Sequence, residues 1–258
     1  MFSLGKLLMK QVYLIARCVL IWVLSSIHFF TVCTFLVLLG IFVNPRRNDW
    51  PQRIFCQNIL RLAGVSFDCH FSPQFDKQRT SIFICNHVNI FDAFVVYRAV
   101  PQFVRGLELA SHFRIPAYGW MMRRFGNIPV NKRGGPSQFK NLLQRVRSHI
   151  EDEISVVIFA EGSRTLDGHV GPFRKGAFVI AQRLGIPIVP VSICGSFQFC
   201  RKGSWMLYPS QITVYLHDTI QTEGLRRKDI PALMEQVHHL VSEPVEVCLT
   251  TNPVGHAR

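Results

Sequence analysis

The sequence predicts an α/β fold: a largely parallel, twisted sheet flanked by helices, preceded by an N-terminal apolar helical membrane anchor. Three observations carry this expectation. A charge-free apolar run fills the N-terminus, short apolar runs then alternate with helix-length segments, and polar loops follow directly on several of those short runs.

The apolar run comes first. From Cys18 to Val43, 26 residues contain no Lys, Arg, Asp or Glu and include Trp22, Phe29, Phe30, Phe35 and Phe42. A helix of that length, at about 1.5 Å per residue, exceeds a hydrocarbon core of roughly 30 Å. A cleaved signal peptide would be shorter and would carry a small-x-small cleavage site. The apolar character reaches back to Val12, with Arg17 interrupting, and Ser25-Ser26 offers a place to bend. A single tilted span and a shallow helical hairpin therefore both fit. Lys6, Lys10 and Arg17 precede the run and Arg46, Arg47 and Arg53 follow it, so charge asymmetry does not fix an orientation. Two-sided basic flanks favour slightly a hairpin with both ends at one anionic surface. Asn44-Pro45-Arg46-Arg47-Asn48 breaks the run, which places the anchor in residues 1–47 and a soluble domain in residues 48–258.

Within that domain the strands are expected at Ser81–Cys85, Val104–Leu109, Val156–Ala160, Ile186–Val191 and Ile212–Leu216. Ile115–Phe125, Ser137–Glu151 and Lys175–Leu184 have helical length and pattern. A last helix is expected over Asp229–Val241, with Asp229 as its N-cap and Pro231 in its first turn. Strand–helix alternation is the mark of parallel sheets.

Composition narrows the function. With 48% hydrophobic and 17% charged residues, the chain is not disordered. A net charge of +13 calls for an anionic partner: anionic lipid, a phosphorylated substrate or nucleic acid. The eight cysteines are scattered with no C-x-x-C pair, which reads as free thiols in a reducing compartment.

The chemistry-bearing segment is Cys85-Asn86-His87-Val88-Asn89-Ile90-Phe91-Asp92, directly after an expected strand. In α/β sheets, ligands bind beyond the carboxyl ends of strands. His87 and Asp92 are five positions apart, about 140° around a regular helix, so they pair only if the chain turns between them. In that geometry Asp92 orients the imidazole, and the other ring nitrogen takes a proton from an alcohol. Phe159-Ala160-Glu161-Gly162-Ser163-Arg164-Thr165 follows another strand and offers Arg and backbone N–H groups to an anionic oxygen, although an ordinary turn with a surface ion pair would read the same. Phe173-Arg174-Lys175-Gly176-Ala177-Phe178 adds two cations at a helix start. Gly126-Asn127-Ile128-Pro129-Val130-Asn131-Lys132-Arg133 ends a strand with cations near the same edge.

In this order and spacing the segments resemble the glycerolipid acyltransferase family, of the 1-acyl-sn-glycerol-3-phosphate acyltransferase type. The resemblance covers roughly residues 60 to 220. Asn86-His87-x4-Asp92 resembles the family's catalytic block, and Gly126–Arg133 its second. Phe159–Thr165 resembles its F-P-E-G-T-R block, and Ile186-Pro187-Ile188-Val189-Pro190-Val191 its fourth. The sequence departs from the pattern at Asn131-Lys132, where Asp-Arg is usual, and mildly at Ala160 and Ser163. A lysine is a point charge without the bidentate fork of arginine, so the second block puts the acceptor in question.

The resemblance implies His87 as general base and Asp92 as its orienting partner. It implies that Glu161, Gly162 and Arg164 bind the acceptor's polar end, with Lys132 and Arg133 assisting at phosphate. The implied reaction moves a fatty acyl group from acyl-CoA or acyl carrier protein, as co-substrate, onto lysophosphatidic acid, giving phosphatidic acid in phospholipid biosynthesis. The alternative is another acceptor: glycerol 3-phosphate, a lysophospholipid or a lyso-aminolipid. No cofactor, metal or nucleic acid is implied, and the implied setting is a cell inner membrane with the domain on its cytoplasmic face. Rival classes fit less well. No G-x-S-x-G elbow supports a serine hydrolase, and Ala177 stands where a P-loop from Gly171 to Gly176 needs Lys. A non-enzymatic basic module would leave the His–Asp spacing unexplained.

Overall fold

The computed structural model describes residues 2–44, 48–131 and 134–251, so Pro45, Arg46 and Arg47 lie outside the described residues. The N-terminal run forms one uninterrupted helix, α1 (Phe2–Phe42), of which Leu8–Phe42 is long and apolar enough to cross a membrane. Ser25 and Ser26 sit inside it without a break, so the hairpin permitted by the sequence is not formed. One stripe of α1, with Cys18, Ile21, Ser25, Cys33 and Leu36, is buried at helical spacing against the rest of the chain. Val19, Val23, Ile27, Phe30, Leu38 and Ile41 remain exposed on its other faces.

Helix α2 (Trp50–Leu62) leads into β1 (Val65–Phe71), followed by β2 (Ile82–Cys85), α3 (Asp92–Ala99) and β3 (Val104–Leu109). Then come α4 (Tyr118–Arg124), β4 (Ile128–Val130), α5 (Pro136–Glu151), β5 (Ser155–Phe159), α6 (Gly176–Leu184) and β6 (Ile188–Cys194). Short α7 (Ser196–Phe199), β7 (Ser210–Leu216) and α8 (Ile230–Thr251) complete the order. The seven strands form one sheet in the order β1-β7-β6-β2-β5-β3-β4. Every pairing is parallel except β6 with β7. The largely parallel α/β class expected from the sequence is therefore the fold observed.

Strands β2 and β6 are buried at every position, as apolar strands covered on both faces should be. Their side chains alternate between two cores. Phe83, Cys85, Val189 and Val191 pack with α2 and α3 and with Cys18 and Ile21 of α1. Ile82, Ile84, Val156 and Ile158 pack with α5, α6 and α8 through Val146, Phe178, Ile180, Val237 and Val241. A smaller cluster seats Cys33 and Leu36 of α1 on Phe113, Met121, Met122 and Phe125 around α4.

Cys85 pairs in register with Phe159 on one side and Val191 on the other. The loops after β2 and β5 therefore leave the sheet side by side, at its carboxyl edge. Asp229 acts slightly earlier than expected. It lies in a 3-10 turn, its carboxylate accepting the Arg226 N–H at 2.8 Å, and α8 starts just after it. That helix also runs past Val241 and through Pro244 to Thr251, because Val245 still finds a buried site.

Candidate active site

The turn after β2 brings His87 and Asp92 together. Asp92, the first residue of α3, is fully buried. Its Oδ2 lies 2.9 Å from His87 Nδ1 and also accepts the N–H groups of Val88 (2.6 Å) and Asn89 (2.8 Å). Its Oδ1 accepts the Ser196 hydroxyl at 2.8 Å, and Ser196 lies in the turn after β6. A carboxylate with this many donors has its buried lone pairs satisfied and its orientation fixed.

The turn is braced by two asparagines. Asn86 exchanges a pair of hydrogen bonds with the Ile193 backbone, at 3.0 and 2.8 Å. The Asn89 amide donates to the carbonyls of Ser196 and Cys200, while its oxygen accepts the Phe91 N–H at 2.7 Å. The imidazole of His87 stacks on Phe159 with ring centres 4.3 Å apart. Its side chain keeps 22% of its surface exposed, and Nε2 makes no hydrogen bond among the described residues. One nitrogen is thus held by a buried carboxylate while the other has no hydrogen-bond partner among the described residues.

The loop after β5 binds this turn from the other side. Glu161 Oε1 accepts the His87 N–H at 2.7 Å, and Oε2 accepts the Gly171 N–H at 3.1 Å. Burial pushes its carboxyl up to about 7, against the pull of those two N–H donors. The family resemblance implies that Glu161 binds the acceptor's polar end. In the structure both its oxygens are engaged by backbone, so it ties two loops together. Thr165 N–H donates to the His87 carbonyl at 2.9 Å, fixing the histidine backbone at both ends.

A cleft of about 480 Å³ opens over the loop after β5, lined by Glu161, Ser163, Arg164, Thr165, Pro172, Phe173 and Arg174 among others, and Glu161 and Thr165 join it to the backbone of His87. Arg164 makes no ion pair among the described residues, so it does not pair with Glu161. Arg174 Nε reaches the Glu161 carbonyl at 3.2 Å, and Lys202 Nζ donates to the Arg164 carbonyl at 2.7 Å. Gly162 has φ +68°, and a Cβ there would come within 2.6 Å of Arg174 Nε, so glycine lets the arginine cross the loop. Gly162 therefore contributes backbone shape. Lys132 and Arg133 lie outside the described residues. Asn131 just before them bonds to Gln138 at 3.3 Å.

The family model described as acyltransferase matches residues 66–194, half of the chain, including β2, the His87–Asp92 turn and the Glu161 loop. The chain belongs to the acyltransferase family. It is 32% identical over 140 residues to a chloroplastic 1-acyl-sn-glycerol-3-phosphate acyltransferase of Brassica napus, a match covering 54% of this chain and 40% of that protein. It is 27% identical over 229 residues to the 1-acyl-sn-glycerol-3-phosphate acyltransferase of Haemophilus influenzae, covering 88% of this chain and 90% of that one. The chain thus spans less than half the length of the Brassica relative and nearly all of the Haemophilus one. The crystal structure of PlsC, the 1-acyl-sn-glycerophosphate acyltransferase of Thermotoga maritima, superposes with a TM-score of 0.74 at 18% identity. That match covers 96% of this chain and 100% of the other, and shows a shared fold.

Sequence reasoning missed two of the groups that build this site. Ser196 is 104 positions from Asp92, and nothing local marks it. Lys202 has no signal beyond its charge. Arg174 was visible only as one of two cations at a helix start.

Proposed function

We propose that the chain transfers a fatty acyl group from a thioester donor, acyl-CoA or acyl carrier protein, to the free hydroxyl of lysophosphatidic acid. The product is phosphatidic acid, an intermediate of phospholipid biosynthesis. The observation that carries the reading is His87, with Nδ1 held by buried Asp92 and Nε2 unengaged, next to a cleft lined by two arginines.

His87 Nε2 takes the acceptor's hydroxyl proton as that oxygen attacks the thioester carbonyl, and the Asp92 charge stabilises the resulting imidazolium. Collapse of the tetrahedral intermediate breaks the C–S bond. The imidazolium proton then goes to the departing thiolate, which restores neutral His87. Arg164 suits phosphate, because its guanidinium forks two hydrogen bonds and no carboxylate competes for it among the described residues. Arg174 adds positive charge to the same cleft.

The anchor belongs to this reading. The buried stripe from Cys18 to Leu36 extends roughly 27 Å along α1, so a folded domain covers one side of the helix. A helix sheathed in that way suits the plane of a membrane surface better than a bare crossing, with its exposed apolar faces in the lipid. The domain then meets an amphiphilic acceptor at the surface where that acceptor resides.

The test is mass spectrometry of the products formed by purified full-length protein given acyl-CoA or acyl carrier protein and a panel of acceptors. Lysophosphatidic acid should be acylated, with glycerol 3-phosphate, lysophospholipid and lyso-aminolipid well behind. H87A should lose about 10²–10⁴-fold on every acceptor. Preference for an acceptor without phosphate would overturn the substrate, and an active H87A would overturn the chemistry.

A further inference from the structure

The catalytic carboxylate has an asymmetric set of partners. Three donors converge on Asp92 Oδ2: His87 Nδ1 and the N–H groups of Val88 and Asn89. Oδ1 receives one hydrogen bond, from Ser196 at 2.8 Å. Both residues are buried, Asp92 at 0% and Ser196 at 1% exposure, so no bulk water can replace that bond.

The fold goes to some length to deliver this hydroxyl. Strand β6 ends at Cys194, and Gly195 turns the chain with φ +88°. A Cβ at Gly195 would lie 2.1 Å from the Gln211 carbonyl oxygen, so only glycine makes this turn against β7. Ser196 follows at once. Its carbonyl accepts the Asn89 amide at 2.8 Å, which fixes its backbone to the same turn that its side chain reaches. Ser196 therefore ties the turn after β6 to the turn after β2 by two bonds, one of them to the carboxylate.

From this we infer that Ser196 is a positioning residue for acyl transfer: its hydroxyl holds the Asp92 carboxylate in the rotation that presents Oδ2 to His87. The inference rests on the proposed roles of His87 and Asp92. Rotation about the Asp92 Cβ–Cγ bond would carry Oδ2 away from the imidazole, and the Ser196 bond opposes it from the far oxygen. Without it Oδ1 is a buried charged atom with no donor, and the carboxylate gains by turning toward the backbone N–H groups that serve Oδ2. The imidazole is then held less firmly in its productive orientation, and the reaction slows at the proton transfer. Binding of the acceptor in the cleft is untouched, because Ser196 does not line it.

The experiment compares full-length wild type with S196A, S196C and S192A. Ser192 is an equally buried serine of β6, bonded to the Val241 carbonyl at 2.9 Å and to His217 Nε2 at 2.8 Å, with no bond to the carboxylate. It reports what loss of a buried hydroxyl does to the fold alone. S196A should lower kcat by about 10-fold or more with KM for lysophosphatidic acid within about twofold. S196C, a weaker donor, should fall between S196A and wild type. S192A should keep wild-type kcat even if its thermal midpoint drops. An S196A enzyme with kcat within about twofold of wild type, or S192A and S196A losing activity equally, would overturn the inference. If S196A does not fold, S196C decides: reduced kcat at constant KM supports the role, and wild-type kcat refutes it. H87A in the same series keeps the inference separate from its premise, because an active H87A refutes the chemistry whatever Ser196 does.

Discussion

Replacing Asp92 by asparagine tests the site more sharply than deleting it. An amide has one acceptor oxygen and one donor nitrogen, so it can sit in two ways. With the oxygen at the Oδ2 position it still accepts from His87 Nδ1, Val88 N–H and Asn89 N–H. Its nitrogen then faces Ser196 Oγ, which rotates to accept. The flipped alternative sets an NH₂ against two buried backbone N–H groups, at about 1–3 kcal/mol for each group left without an acceptor. The first orientation wins, so D92N keeps its proton on His87 Nδ1 and leaves Nε2 basic. What is lost is the charge that stabilises the imidazolium. That is worth about 2–3 kcal/mol, or roughly 30- to 150-fold in kcat. D92A instead orphans four donors and should lose thermal stability as well. The assay is the initial rate of phosphatidic acid formation by purified protein in mixed micelles, with near-ultraviolet circular dichroism to verify the fold. A folded D92N within about threefold of wild type would show that the charge is idle. A loss beyond roughly 10³-fold would show that the amide flips and inverts the tautomer.

Other measurements probe the surroundings. R164K keeps charge but not the fork and should raise KM for lysophosphatidic acid, while R164A should cost about 1.5–3 kcal/mol in kcat/KM. Equal losses on an acceptor without phosphate would make Arg164 structural. Glu161 should produce a pH-dependent stability difference from E161Q. Its folded value of about 7 lies above the ordinary 4.5, so its contribution is full below pH 4.5 and is lost as pH rises through 7. That amounts to about 3 kcal/mol at most, read as the difference in thermal midpoint between wild type and E161Q at pH 5 and pH 8. An unchanged difference would show that Glu161 stays ionised throughout. Full-length protein should sediment with membranes and resist extraction by high salt, because the exposed apolar faces of α1 are not screened. Release by salt alone would leave charge as the only tether.

How much of this was legible in the sequence depended on burial. Strands β2, β5 and β6 are covered on both faces, so their apolar runs stood out. Strand β1 is an edge strand with Ser66, Asp68 and His70 facing outward, and its mixed pattern hid it. Strand β4 is three residues long with Pro129 in the middle, and it too lies at an edge. Helix α2 alternates Arg53, Gln57 and Arg61 with its buried stripe and starts at Trp50-Pro51, which reads locally as a loop. In the site, His87 and Asp92 could be found because a local turn joins them. Glu161 could be seen but not oriented, since its partners are backbone N–H groups supplied by the fold.

Those backbone contacts bear on how the site could change its acceptor without losing its base. His87 is held from several directions: its ring by Asp92 and Phe159, its N–H by Glu161 and its carbonyl by Thr165. These partners come from the turns after β2 and β5, and the turn after β6 adds Ser196. Removing one therefore shifts an ensemble of restraints and does not release the histidine outright. Arg164 and Ser163 occupy the same β5 loop but take no part in holding His87. Substitutions at the cleft can then alter which head group is bound while the proton-accepting nitrogen stays where it is. The departure from the family pattern at Ser163 falls at such a position, whereas Asn86, His87 and Asp92 match it.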